Sequence, residues 1–80
     1  MKNSAKYIRA KIESVCEAIN RRIFTMNYKQ ECEVRDYLEE IFEYSVCLLE
    51  YESDKLADML GVNTNCIFDV LSDLNLIESK

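Results

Sequence analysis

The chain has 80 residues, of which 49 % are hydrophobic, and fifteen acidic residues against ten basic ones give it a net charge of −5. This length fits a single domain over residues 1–80, and the hydrophobic content excludes a disordered chain. Proline is absent and glycine occurs once, so we expect long helices and few tight hairpins, which predicts an all-α fold.

The first predicted helix covers residues 4–26, with Ser4 as its N-cap. Apolar side chains recur there at helical spacing, in a stripe roughly 100° wide. They are Ile8, Ile12, Val15, Cys16, Ile19, Ile23 and Met26. Only one face of this helix is therefore expected to be buried. The weakly polar residues 25–30 are predicted to form the turn that follows.

The second predicted helix covers residues 30–51 and has two apolar seams, which merge into an arc of about 220° on a helical wheel. One seam consists of Val34, Leu38, Phe42, Ser45 and Leu49, and the other consists of Tyr37, Ile41, Tyr44, Leu48 and Tyr51. A helix that is apolar over this width has neighbours on two sides. The tyrosine seam is therefore a candidate dimer interface, and we expect a homodimer. The alternative is that this seam forms the rim of a monomer's core.

The remaining arc of the second predicted helix is acidic. It holds Asp36, Glu39, Glu40, Glu43 and Glu50, with almost no positive charge among them. These carboxylates are candidates for a partner-binding face that docks on a basic protein. The alternative is an ordinary solvated helix surface.

The next segment is predicted to be a short helix over residues 54–60, with Ser53 as its N-cap. Gly61, the single glycine of the chain, stands where this helix must end in a left-handed conformation. Beyond the glycine, Asn63 or Thr64 can cap another helix. The sequence thus predicts two short helices joined by a tight turn.

The last predicted helix covers residues 64–74, and Asn75 can take the left-handed turn after it. Leu76 and Ile77 form a short apolar pair, so we expect at most one stub β-strand, at 76–78. The predicted architecture is a long helical hairpin followed by a C-terminal helix-turn-helix.

Residues 52–78 resemble the helix-turn-helix of winged-helix DNA-binding domains. The matching positions are Leu56, Ala57, Leu60, Gly61, Val62, Ile67, Val70, Leu71, Leu74, Asn75, Leu76 and Ile77. Ala57 is small because the second helix would cross close to it, and Gly61 supplies the tight turn. Since the sequence ends at Lys80, we expect the family's β-hairpin wing to be missing.

The resemblance implies that the second helix of the motif enters the major groove of DNA. The candidate DNA-binding residues are Lys55, Asn63, Thr64, Asn65, Arg21 and Arg22. Asp69 and Asp73 would oppose binding, because neutralisation of phosphates by Lys and Arg supplies most of the affinity for DNA. The basic first helix, with six basic and two acidic residues in 1–22, is the predicted source of compensating charge.

Two functions follow from these patterns. The first is a small DNA-binding regulator that acts as a homodimer on double-stranded DNA. The alternative is an acidic protein-interaction module that blocks a basic, nucleic-acid-binding partner. In size and charge the chain is similar to phage-encoded inhibitors, anti-CRISPR proteins among them.

Enzymatic activity is not expected. Histidine is absent, so a cysteine nucleophile would lack its usual base, and no glycine-rich phosphate loop is present. We therefore name no catalytic residue, no cofactor and no small-molecule substrate. The four cysteines are Cys16, Cys32, Cys47 and Cys66. They form no CxxC pair, so we interpret them as small buried hydrophobic residues and expect no metal site.

No apolar run in the sequence is long enough for a signal peptide or a membrane span. The sequence therefore predicts a cytoplasmic protein without a membrane partner, in a compartment where thiols stay reduced.

Overall fold

The computed structural model describes residues 3–77, which fold into four α-helices around one core. The helices are α1 (Ala5–Arg22), α2 (Tyr28–Phe42), α3 (Glu50–Leu60) and α4 (Thr64–Asp73). α1 packs against α2 and α4, and α3 packs against the same two helices. The prediction of an all-α fold is therefore confirmed.

The N-terminal helix begins and ends at identifiable side-chain hydrogen bonds. Ser4 is the N-cap, as predicted, and its hydroxyl accepts a hydrogen bond from the Tyr7 backbone N–H at 3.2 Å. The helix ends at Arg22, earlier than predicted. The Asn20 side-chain oxygen accepts a hydrogen bond from the Met26 N–H at 2.9 Å, and this contact holds the chain as it leaves the helix. Met26 therefore reaches the core from a loop.

A capping box starts α2 two residues earlier than the predicted residue 30. The Asn27 side chain accepts a hydrogen bond from the Gln30 N–H at 2.8 Å, and the Gln30 side chain accepts one from the Asn27 N–H at 3.0 Å. This reciprocal pair satisfies backbone donors that the first helical turn leaves open. The turn consequently covers residues 23–27, and not residues 25–30.

The prediction of one long second helix is wrong, because α2 ends at Phe42. Residues 43–49 form an irregular connection, in which the Leu48 N–H donates a hydrogen bond to the Leu76 carbonyl oxygen at 2.6 Å. Leu48 is fully buried and forms an isolated parallel bridge with Ile77. Burial of this side chain outweighs the helical periodicity of the segment, since tertiary packing routinely overrides local propensity.

The tyrosine seam therefore does not lie on one helix, which corrects the predicted dimer interface. Tyr37 and Ile41 lie on α2 and are half-buried. Tyr44 is in the connection and is 70 % exposed, whereas Tyr51 is on α3 and is 65 % exposed. Leu48 is in the core, where it cannot contact a second copy. The five side chains belong to three different parts of the chain.

The third helix starts at Glu50, so Ser53 is not the N-cap that the sequence predicts. Leu49 is the N-cap, and its backbone N–H donates a hydrogen bond to the Glu52 carboxylate at 2.7 Å. Ser53 lies inside the helix and is fully buried. The helix consequently has an additional turn, and the sequence analysis assigns its first two residues, Glu50 and Tyr51, to the preceding helix.

The helix, glycine turn and helix that were predicted for the C-terminal part are present. Gly61 ends α3 with a φ of 68°. Asn63 caps α4 by accepting a hydrogen bond from the Asn65 N–H at 2.8 Å, and Asn75 follows α4 with a φ of 60°. Within residues 3–77, an isolated bridge stands where the stub strand was predicted, and residue 78 lies outside the described part.

One core connects the four helices, the loop before α2, the connection before α3 and the segment after α4. Its buried members are Ile8, Ile12, Val15, Cys16, Ile19, Met26, Val34, Leu38, Phe42, Leu48, Leu56, Ala57, Leu60, Ile67, Leu71 and Leu76. Ala57 is buried, as the predicted crossing of α3 and α4 requires. Most of the apolar positions that the sequence assigns to a core are therefore in it.

Replacing Gly61 with alanine is expected to lower the free energy of unfolding by about 1 kcal/mol, because a side chain strains a left-handed backbone. An added Cβ would meet no atom within 4 Å, so the cost comes from the backbone and not from a clash. Asparagine adopts this conformation more readily, so Gly61→Asn should cost less. Urea denaturation measures both, and equal losses would contradict the conformational explanation.

Replacing Ser53 with alanine is expected to raise the free energy of unfolding by about 1 kcal/mol, because a buried hydroxyl without a partner is destabilising. The Ser53 Oγ has no hydrogen-bond partner among the described residues. Alanine also has the higher helix propensity, so Ser72→Ala on the exposed side of α4 is the matched control. Equal gains for the two variants in urea denaturation would show that burial of the hydroxyl has no effect.

Candidate functional site

The six candidate DNA-binding residues do not form one cluster. Lys55 and Thr64 line the same groove at the start of α4, whereas Arg22 contacts Asp73 at its end. A helix of this length separates its two ends by about 15 Å. The structure thus brings Lys55 and Thr64 together, and it places Arg22 at the other end of α4.

The basic first helix does lie beside α4, and two of its arginines, Arg21 and Arg22, are paired with carboxylates. Arg22 and Asp73 form an ion pair at 2.6 Å, and Arg21 forms a weaker one with Glu17 at 3.6 Å within α1. Each pair has no net charge. Arg22 therefore cancels the repulsion that Asp73 would exert on a phosphate, without adding positive charge of its own.

The asparagines at the start of α4 are only partly available for recognition. The Asn63 side-chain oxygen is occupied, because it accepts the hydrogen bond from the Asn65 N–H that caps the helix. Asn65 itself is exposed, and Thr64 is half-buried. Asn63 acts first as a structural cap, which leaves its two amide donors and the second lone pair of its oxygen for other contacts.

An open groove of about 510 Å³ runs along α3 to the start of α4. Its lining residues are Tyr51, Asp54, Lys55, Asp58, Val62 and Thr64. The two aspartates stand on either side of Lys55 in the sequence and carry twice its charge. The groove that contains the candidate cation of the motif is therefore acidic.

A second tyrosine, Tyr37, lies next to this groove, and charged side chains of two helices affect it. The Lys55 ammonium is 5.5 Å from the centre of the Tyr37 ring, which is a cation–π distance. Burial raises the pKa of the Tyr37 hydroxyl above its usual value of 10.0, and the charges of Glu52, Tyr51 and Glu40 raise it further. Tyr37 thus connects the acidic side of α2 with that of α3.

We call the surface made by these two features the α3 face. It consists of Tyr37, Glu40, Tyr51, Glu52, Asp54, Lys55, Asp58, Val62 and Thr64. Four carboxylates and one ammonium give it a net charge of −3. Sequence analysis missed Glu52, Asp54 and Asp58, although the spacing of Asp54 and Asp58 by one helical turn, around the only cation of the motif, was a usable signal.

The acidic face predicted on the second helix is divided by the structure. Glu40 belongs to the α3 face, whereas Glu39 and Glu43 border a groove between α1 and α2. Asp36 is exposed on α2, and Glu50 is the first residue of α3. Glu50 is thus on another helix than the carboxylates of α2, because the helix that was expected to carry all five ends at Phe42.

The groove between α1 and α2 is larger, about 570 Å³, and its charges are mixed. Ile8 and Ile12 form an apolar floor, and Arg9 and Arg35 lie on its walls. Arg35 is held by ion pairs with Glu13 and Glu31, the second at 3.4 Å. With Glu13, Glu39 and Glu43 against the two arginines, the groove has a net charge of −1, and its lining contains no aromatic ring.

The cysteines differ in environment, which corrects the interpretation of all four as buried. Cys16 is buried, and this burial raises its pKa from 9.0 to about 11. Cys32 and Cys47 are half-buried, and Cys66 is exposed on α4. Across residues 3–77, no three His, Cys, Asp or Glu side chains are grouped so as to hold a metal ion.

Every helix within residues 3–77 is too short or too polar to cross a membrane. No protein-family model, no curated protein and no solved structure gives a significant match to this chain. The function has to be inferred from the residues of the candidate surface themselves.

The Arg22–Asp73 pair is expected to contribute about 0.5 kcal/mol of coupling energy to stability, because both side chains remain partly exposed. A double-mutant cycle of Arg22→Ala and Asp73→Ala, followed by urea denaturation, measures it. The coupling should decrease as salt is added, since salt screens exposed pairs. The Arg21–Glu17 pair is the control, and an equal or larger coupling there would contradict the importance of the contact between α1 and α4.

Proposed function

We propose that this protein is an acidic interaction module that binds a basic surface of another protein through the α3 face. The observation that carries the proposal is the charge of this face, which is −3, arranged around the rings of Tyr37 and Tyr51. Aromatic side chains are enriched in protein interfaces, and complementary charge sets the partner. The partner surface that fits is rich in arginine and lysine.

In this proposal the helix-turn-helix is a scaffold. Its first helix, α3, supplies Tyr51, Asp54 and Asp58, and its turn and second helix supply Val62 and Thr64. The shared core of α3 and α4 fixes these side chains relative to one another. A rigid arrangement of this kind reduces the entropy that is lost on binding.

Two of the six candidate DNA-binding residues, Lys55 and Thr64, also lie on the α3 face. Asp54 and Asp58 line the same groove and would repel phosphates. Neutralisation of phosphates supplies most of the affinity of proteins for DNA. The charge of this face therefore favours a basic protein over DNA.

A second copy of the chain fits this face less well than a basic protein does. In a two-fold dimer the same patch meets itself, so the carboxylates of one copy would oppose those of the other, which is unfavourable. The homodimer stays a prediction, and light scattering measures it. If Tyr44 is in such an interface, Tyr44→Glu should give monomers, and an unchanged mass would contradict the idea.

An inhibitory role would follow from the chemistry of the partner. Basic protein surfaces attract nucleic acids. A module whose carboxylates cover such a surface would exclude nucleic acid from it. We therefore propose that binding blocks a nucleic-acid-binding partner, as phage-encoded inhibitors do.

Charge reversal on the α3 face tests the proposal. Wild-type protein and the Asp54→Lys/Asp58→Lys variant are immobilised and exposed to the cytoplasm of the host. We expect the wild type to retain a basic protein that the variant loses, because the complementary charge is inverted. Asp36→Lys/Asp69→Lys is the matched control, since both aspartates are exposed outside the α3 face. Loss of the partner in this control as well would contradict the assigned surface.

A DNA-binding regulator is the second candidate, and the Arg22–Asp73 contact favours it. The contact neutralises one of the two carboxylates on α4 that oppose DNA. Binding to mixed duplex DNA at increasing salt tests this function. Affinity should fall steeply with salt and weaken when Arg21 and Arg22 are replaced by Glu. Absence of binding at low salt would remove this candidate and leave the basic-protein proposal.

A further inference from the structure

We propose that the groove beside Tyr51 holds an arginine side chain of the partner, in preference to a lysine. This inference rests on the proposed function, and it goes beyond it by naming the type of residue that is bound and the place where it is bound. The groove is the part of the α3 face that combines an open aromatic ring with two carboxylates and an apolar wall.

The three recognising side chains share one side of α3. Tyr51, Asp54 and Asp58 are three and then four residues apart, so they follow one another along the same helix face. All three border the groove, and the Tyr51 ring is 65 % exposed. The Cβ atoms of residues four apart on a helix are about 6 Å from each other. A single planar cation can therefore lie between the carboxylates of Asp54 and Asp58, with one face toward the Tyr51 ring that borders the same groove.

Arginine matches this arrangement better than lysine for three reasons. The guanidinium group is planar and stacks on an aromatic ring, whereas an ammonium is a compact, strongly hydrated charge. Its five N–H donors form a planar fork, which can donate two parallel hydrogen bonds to one carboxylate. Asp54 and Asp58 supply the carboxylates in this groove. Its aliphatic stem can cover apolar surface such as Val62 while the charged end stays at the carboxylates.

The neighbouring tyrosine already binds a cation of this chain. The Lys55 ammonium is held over the Tyr37 ring, close to Glu40 and Glu52. Among the residues that the structure describes, the Tyr51 ring has no such cation over it. The α3 face therefore has two rings of the same kind beside carboxylates, and one of them is open to a partner.

The start of α4 does not reverse the sign of the groove. A helix N-terminus is equivalent to about half a positive charge, and Thr64, at the start of α4, lines the groove. The carboxylates of Asp54 and Asp58 carry two negative charges, and the ammonium of Lys55 is drawn toward Tyr37. The groove consequently favours a cation over an anion such as phosphate.

The test compares two peptides by isothermal titration calorimetry with the full chain at low salt. One peptide contains arginine and glycine, and the other has lysine in place of every arginine, with the same length and charge. We expect the arginine peptide to bind about tenfold more tightly, because it adds stacking and paired hydrogen bonds to the charge attraction. Tyr51→Ala should remove this preference, and Tyr51→Phe, which keeps the ring, should retain it.

Charge variants locate the site, and circular dichroism checks that each variant is folded. Asp58→Asn should weaken binding of the arginine peptide, and Asp69→Asn, on the exposed side of α4, should leave it unchanged. Equal weakening by the two variants would place the peptide elsewhere and overturn the inference. Equal affinity for the two peptides would also overturn it, while leaving a basic partner as the proposed function. Failure of both peptides to bind would overturn the two proposals together.

Discussion

The backbone hydrogen bond from the Leu48 N–H to the Leu76 carbonyl joins the connection after α2 to the segment after α4. The Leu48 side chain is fully buried there. Because of this contact the chain leaves α2 at Phe42 and starts a new helix at Glu50. α3 can then pack against both α2 and α4, and the side chains of the α3 face are positioned by that packing. The apolar periodicity by itself predicts one continuous helix through this region.

The distribution of charge follows from the same packing. The charges of Glu52 on α3 and Glu40 on α2 both raise the pKa of the Tyr37 hydroxyl, although the two glutamates are twelve residues apart in the sequence. Asp54 and Asp58 add two more carboxylates on the adjoining groove. Four acidic side chains thus lie around two tyrosine rings, and this combination is the basis of the proposed binding to a basic protein.

Two basic residues of the first helix, Arg21 and Arg22, are held in ion pairs within the protein. Arg22 binds Asp73 on α4, and Arg35 of α2 binds Glu13 of α1. These pairs connect neighbouring helices, and each leaves no excess positive charge for a phosphate. The unit made of α3, Gly61 and α4 therefore contacts α1 through an arginine whose charge is already neutralised by Asp73.

The sequence by itself determined the features that depend on local chemistry. Gly61 and Asn75 adopt the left-handed conformations that were predicted, and Ser4 caps the first helix, because each depends on one residue and its neighbours. The tertiary structure alone decided where the second helix ends and which carboxylates share a surface. Leu48 has the right spacing for a helix, and only the buried position opposite Leu76 outweighs that periodicity. A periodic pattern records that a residue is buried, whereas the neighbour against which it is buried depends on the packing of distant segments.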